Sequence, residues 1–283
     1  MKTVLILPLG IKDENDPRLA SVVRLCLDEG ADIVMKDKSL LPESLRDKIL
    51  PYTSASVPEL IVSVGGDGSV LSAAHEALDF DAPILGINTG NVGYMAAIGI
   101  DSLDSLKNVL GGRYAVEERM MLSAEIILED KVYYSVEAAL NDIVITKAAS
   151  SVIAPIKLYC HGQEAGRYDA DGVIFATPTG STAYSLSAGG PLIDPSMECI
   201  CVTPICPHSV LARPAVYASD SVFACRVGEW RKGSLELTAD GAESVKIPDG
   251  AYVIVRKSEK KTRFVSIDKN GFTGVFRAKM TGR

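Results

Sequence analysis

The 283-residue sequence predicts an α/β domain followed by an all-β domain. Three observations carry this. Up to about residue 113, short apolar runs of strand length alternate with segments of helical composition, which implies a parallel sheet with connecting helices. From there to about Arg256 there is no long segment of 3.6-residue period, only short runs rich in β-branched residues, separated by turn residues. In the first part, glycine clusters fall at the ends of apolar runs, where strands of an α/β sheet turn into helices.

The elements follow in order. Thr3–Leu7 is a first strand ending at Pro8-Leu9-Gly10. Asp16-Pro17 starts a helix, with Asp16 as cap and Pro17 in the first turn; it runs to about Glu29 and ends at Gly30. Ala31–Met35 is a second strand. The polar stretch 36–56 holds two prolines and a short helix from Glu43. Ile61-Val62-Ser63-Val64 is a buried strand that stops at Gly65-Gly66, and Val70–Leu78 forms the next helix with Ser69 as its cap. Pro83–Asn88 is a further strand leading into Thr89-Gly90-Asn91-Val92-Gly93. Asp101–Leu110 is a helix capped by Asp101, with Asp104 three residues on as a capping-box variant, and Gly111-Gly112 ends it. The second domain contributes strands at Ser123–Leu128, Lys131–Val136, Asp142–Thr146, Pro155–Tyr159, Val173–Ala176, Ile200–Thr203, Ser221–Arg226, Ser234–Thr238 and Tyr252–Val255. The tail from Thr262 carries one more apolar run, Arg263–Ile267, and is expected to return to the first domain.

Composition narrows the function classes. The chain is 47% hydrophobic and 23% charged, as ordinary globular proteins are. Its net charge of −7 and pI of about 5.1 disfavour a broad nucleic-acid-binding surface. No apolar run reaches the length of a membrane span, and Met1–Pro8 reads as a strand, not a signal peptide. Six cysteines in a chain of this length do not suggest a disulfide framework; they fit a reducing cytoplasm.

Several constellations could carry chemistry. Gly65-Gly66-Asp67-Gly68-Ser69 places one carboxylate at the carboxyl end of a strand, beside the N–H groups of a helix start. That arrangement suits a phosphate, or a hydroxyl near a phosphate; it equally fits a strand-turn-helix joint whose Asp caps the helix. Asp171–Pro191 is a strand feeding a loop dense in glycines and hydroxyls, able to hydrogen-bond a ribose, a pyrophosphate or a base edge, or to bond its own backbone. Asn141-Asp142, before a strand, can read an adenine edge and a ribose hydroxyl, or punctuate the strand. Asp240-Gly241 alone is a hairpin turn. Cys199, Cys201, Cys206 and His208 have the wrong spacing for a zinc knuckle. Ser181 and His208 lack a Gly-x-Ser-x-Gly elbow. Neither Gly-x-x-x-x-Gly-Lys-Ser/Thr nor Gly-x-Gly-x-x-Gly occurs, so a bound nucleotide is held by neither standard cradle.

Taken together, Gly65–Ser69, Gly86-Ile87-Asn88-Thr89-Gly90-Asn91-Val92-Gly93-Tyr94, Asn141-Asp142, Asp171–Pro191, Thr203–His208 and Asp240-Gly241 resemble the NAD kinase family, in that family's order and over most of the chain. Gly-Gly-Asp-Gly is shared with diacylglycerol, sphingosine and phosphofructokinases; the two longer stretches are more specific. The resemblance implies a Rossmann-like α/β domain at 1–117, with the tail 257–283 packed back on it, and a β-sandwich NAD-binding domain at 118–256. It implies phosphorylation of the adenosine 2′-hydroxyl of NAD with ATP and Mg²⁺, a cytoplasmic enzyme of NADP biosynthesis, and a homodimer or homotetramer. By position, Asp67 is the catalytic base, and Asp67 and Gly68 face the adenosine ribose and phosphates. Gly65, Gly66, Gly68, Ser69 and Asp240 lie near the reacting phosphates. Asn141 and Asp142 contact the adenine-side nucleoside, and Asp171 takes the nicotinamide amide. Asp169 and Thr179 belong to the NAD-binding set, and Thr182, Ala183, Tyr184 and Ser187 line the adenine and ribose pocket. No residue is implied as a metal ligand. Ser69 stands where Thr is usual and Asp142 where Glu is frequent; Ala148–Val152 lacks the family's basic residue, and Ala242 replaces a His or Gln. A lipid or sugar kinase sharing only the first motif, and a non-catalytic nicotinamide-nucleotide sensor, are the alternatives.

Overall fold

The computed structural model describes residues 2–53, 55–90, 93–148, 152–227, 233–267, 272–274 and 276–277. The chain divides into two compact units: residues to Glu118 with those from Thr262 on, and Arg119–Lys261.

In the first unit the chain order is β1 (Thr3–Leu7), α1 (Pro17–Asp28), β2 (Asp32–Met35), α2 (Glu43–Arg46), β3 (Leu50–Pro51), β4 (Leu60–Gly65), α3 (Asp67–Glu76), β5 (Ile84–Asn88), β6 (Ile98–Gly99) and α4 (Asp104–Leu110). The sheet order is β5-β4-β1-β2-β3 and every pairing is parallel. The outer edge of β5 pairs with β6 and with Phe264 of the last strand. Strands buried on both faces read as continuous apolar runs, and β4 and β5 are buried along their whole length. Asp16 caps α1 through the Arg18 N–H at 2.8 Å, with Pro17 in the first turn. Leu19, Val22, Val23 and Cys26 recur at helical spacing and pack α1 on the sheet.

Two helix starts differ from the sequence reading. α3 begins at Asp67 with Gly66 at the cap position, and Ser69 is a buried residue of its first turn whose N–H bonds Gly66 O. α4 begins at Asp104 behind a 3₁₀ turn at Ile100–Ser102, with Leu103 at the cap and no side-chain cap bond. In both places the glycine or turn conformation supplies the start that a hydroxyl or carboxylate seemed to mark.

The second unit contains β7 (Ala115–Leu128, from Arg119 on), β8 (Lys131–Ala139), β9 (Asp142–Lys147), β10 (Ala154–Cys160), β11 (Gln163–Ala170), β12 (Gly172–Ala176), α5 (Tyr184–Ser187), β13 (Cys199–Ile205), β14 (Ala215–Ala218), β15 (Phe223–Val227), β16 (Leu235–Ala239), β17 (Val245–Ile247) and the part of β18 (Tyr252–Ser266) up to Lys261. One sheet runs β14-β13-β12-β9-β16-β17, antiparallel throughout. The other joins β11-β10-β15-β18, with β7 pairing β18 and β8. Alternate residues of both sheets fill one core: Ile143, Ile145, Val173 and Phe175 from the first, Ile156, Leu158, Phe223 and Val253 from the second. Phe175 meets Phe223 at 5.3 Å between ring centroids. The opposite face of the first sheet carries Val144, Ile174, Ala176, Cys199 and Cys201 under the segment around Ile193. β11, β14 and β17 were not among the expected strands.

Candidate functional site

In the first unit the candidate residues lie at the carboxyl ends of the parallel strands. After β1 the chain moves to β2 on one side, and it returns at β4 on the other. This reversal is where open α/β sheets bind ligands. The loop after β1 packs on the glycine turn after β4: a Cβ at Gly10 would lie 2.9 Å from the Gly65 Cα and 2.8 Å from Ser69 Oγ. Asp67 stands at the first position of α3, where a carboxylate is favoured by the helix dipole. Its Oδ2 accepts the Tyr94 N–H at 2.8 Å and its Oδ1 the Met95 N–H at 3.1 Å. These two bonds fix the half-buried carboxylate and leave acceptor capacity for an outside hydroxyl. Gly66 and Gly68 are exposed beside it. Tyr94 and Met95 act through main-chain N–H groups, and their role was not legible in the sequence. Asn91 and Val92 lie outside the described residues.

In the second unit Asn141, Asp142, Val144, Thr146, Ala183, Tyr184, Thr238, Asp240 and Gly241 line a pocket of about 450 Å³. The strand period explains it: Ile143 and Ile145 point into the core, so Asp142, Val144 and Thr146 share the other face of β9. The pocket thus brings together Asn141, Asp142, Ala183, Tyr184 and Asp240 of the expected set. Val144, Thr146 and Thr238 join them unforeseen.

Asp142 is 5% exposed. Burial, and then the nearby Asp240 charge, push its carboxyl up to about 7. Tyr184 is raised too, first by burial, then by Cys206, Asp142 and Asp171. Asp240 presents its carboxylate to the N–H groups of Leu140, Asn141 and Asp142 at 2.7, 2.7 and 3.0 Å.

The other expected residues fall outside that lining. Asp171 pairs at 2.7 Å with Lys147, the last residue of β9; Ala149–Ser151 lie outside the described residues. Asp169 is exposed on β11, opposite Pro155. Thr179 is buried, Thr182 donates to Thr179 O at 3.0 Å, and Ser187 is exposed at the end of α5. The hydroxyl-rich loop bonds itself heavily: Ser181 Oγ donates to Pro178 O and accepts from the Ile193 N–H, and Ser185 Oγ meets Thr203 Oγ1 at 2.9 Å. Cys199 and Cys201 are buried in β13, and all six cysteines are free thiols. Among the described residues no three His, Cys, Asp or Glu side chains are grouped to hold a metal ion, and no helix is long and apolar enough to cross a membrane.

Two family models match the chain: the ATP-NAD kinase N-terminal domain at residues 10–114 and the ATP-NAD kinase C-terminal domain at residues 140–267. Among curated relatives, NAD kinase of Caldanaerobacter subterraneus subsp. tengcongensis is 37% identical over 287 residues, covering 100% of both chains. NAD kinase of Symbiobacterium thermophilum is 40% identical over 225 residues, 79% of each. Among solved structures, an NAD kinase from Archaeoglobus fulgidus in complex with ATP superposes with a TM-score of 0.73 at 26% identity, covering 98% of each chain. Yeast NADH kinase complexed with NADH gives a TM-score of 0.85 at 22% identity over 99% of this chain and 88% of that one, which speaks for the fold alone.

Proposed function

The chain belongs to the NAD kinase family, and from that premise we propose that Asp67 orients the 2′-hydroxyl of the NAD adenosine and accepts its proton during in-line phosphoryl transfer from ATP. The enzyme phosphorylates NAD, as its curated relatives do; the lipid-kinase, sugar-kinase and sensor readings are not favoured.

The observation that carries the mechanism is the anchoring of Asp67. A base must sit within hydrogen-bond reach of the proton it takes, and the Tyr94 and Met95 N–H groups hold this carboxylate in one orientation. Gly65, Gly66, Gly68 and Ser69 shape a main-chain turn that supplies N–H groups toward phosphate. In phosphoryl transfer most of the rate comes from positioning and charge stabilisation, so a rigid turn with one fixed base suits the reaction.

Asn141, Asp142, Ala183 and Tyr184, which share the pocket of the second unit, bind the adenine-side nucleoside in this reading. Thr179, Thr182, Ser187, Asp169 and Asp171 complete the NAD-binding set. Residues 1–117 with 257–283 form the phosphoryl-transfer module, and 118–256 the dinucleotide module. Mg²⁺ would come with ATP as part of the donor, since this ion is commonly held by substrate phosphates and water. A cytoplasmic location accords with six free thiols, and a homodimer or homotetramer accords with the family resemblance.

A coupled assay tests the reading. Purified protein with NAD, ATP and Mg²⁺ forms NADP, and diacylglycerol and fructose 6-phosphate are not phosphorylated. NAD binding without NADP formation would establish a sensor instead.

A further inference from the structure

Asp240 does more than close a turn. It stands at φ 49° between β16 and β17, followed by Gly241 at φ 71°, a conformation that Asp and Gly tolerate well. Such a turn needs nothing from the Asp side chain. Here the carboxylate receives three successive main-chain N–H groups: Leu140 on Oδ2, Asn141 and Asp142 on Oδ1. The Asp240 N–H donates in return to Asp142 O at 3.0 Å. The two remaining carbonyls are taken by Thr177, whose Oγ1 donates to Leu140 O at 2.6 Å and whose N–H donates to Asn141 O at 2.9 Å. Two residues therefore satisfy all six main-chain polar groups of Leu140–Asp142. The far side is closed by Gly180, where a Cβ would lie 1.9 Å from Asn141 O.

We propose that Asp240 is a positioning residue: by clamping the Leu140–Asp142 main chain, it sets the angle at which the Asn141 and Asp142 side chains meet the dinucleotide. This rests on the nucleotide-binding reading of the pocket, and it gives Asp240 a role other than direct contact with phosphate. A carboxylate committed to three N–H donors brings negative charge, which repels phosphate. The same charge also tunes the pocket. Asp142 is faced by Asp240 from the β16–β17 turn and by Tyr184 from α5; its neighbour on β12 is the uncharged Ala176. Removing the Asp240 charge lets Asp142 ionise at lower pH.

The test is calorimetric NAD binding by the full chain from pH 5.5 to 8.5, for wild type, Asp240→Asn and Asp240→Glu. Asn keeps the shape but lacks the charge and one acceptor; Glu keeps the charge but displaces it by one methylene. Asp240→Asn is expected to bind NAD about tenfold more weakly, the scale of one lost charge-assisted bond, with the pH inflection of its affinity moved below that of wild type. The inflection reports the lost charge, and the lost affinity reports the clamp. Asp240→Glu is expected to lose affinity and keep the inflection. Wild-type-like affinity and inflection in folded Asp240→Asn, or wild-type affinity in Asp240→Glu, overturn the role while leaving the NAD kinase reading intact. A wild type that binds no NAD at any pH sinks both. One readout needs no variant: the amides of residues 140–142 must exchange slowly in wild type before NAD is added, and fast exchange there overturns the clamp.

Discussion

Gly93 and the Asp67 carboxylate are so close that a Cβ on Gly93 would lie 2.0 Å from Asp67 Oδ1. No side chain fits at position 93 while the carboxylate stays where it is. The glycine lets the chain turn directly over Asp67, so that the next two N–H groups, those of Tyr94 and Met95, reach it.

The contact gives the first prediction. Gly93→Ala displaces the Asp67 carboxylate without touching the core. Its kcat is expected to fall by about 10²-fold or more, on the scale of a lost general base, with thermal unfolding near that of wild type. Steady-state kinetics beside a melting curve check this.

A second prediction concerns pH and stability. The Asp142 carboxyl titrates near pH 7 in the folded chain but at roughly 4 when unfolded. Its folded pKa is raised, so the folded state binds the proton more tightly. The resulting stability is fully present below pH ~4 and is lost as the pH rises through about 7, with a slope of at most about 1.4 kcal/mol per unit. Asp142→Asn removes that loss. The variant is expected to gain on wild type steadily from pH 4 to pH 8 in urea unfolding, with no further gain above.

Thr177 supplies a third. Its hydroxyl is buried, donates to Leu140 O and accepts the Gly180 N–H at 3.0 Å. Thr177→Val keeps the volume and strands both partners. The expected loss is about 1–3 kcal/mol, read from the denaturant midpoint of the second unit. A valine variant as stable as wild type would contradict the bonding described.

How much of this was legible in the sequence depends on the range of the signal. Asp16-Pro17 and the run ending at Gly65-Gly66 are local signals, and α1 and β4 formed where they indicated. Gln163–Ala170 was missed because most of its residues are polar or exposed: Tyr168 and Ala170 are buried in the core and the small Ala165 packs against it, too little apolar alternation to mark the strand. β18 runs on to Ser266 through the charged stretch Lys257–Lys261, which composition alone marks as a break. Ser69 looked like a cap because serine usually competes for main-chain bonds at helix starts, yet a buried seat beside Gly10 and Gly65 claims it. At the candidate site, residue types singled out the acid at 67 and left Asn141-Asp142 open between ligand contact and strand punctuation. They could not show that main-chain N–H groups hold both Asp67 and Asp240, since those groups are common to every residue but proline.

The central claim is that Asp67 takes the proton from the adenosine 2′-hydroxyl. The most direct measurement is the rate of NADP formation by Asp67→Asn under saturating NAD and ATP, with NAD affinity measured on the same preparation. Turnover at least about a hundredfold below wild type with NAD still bound is the predicted result. Near-normal turnover would contradict the account.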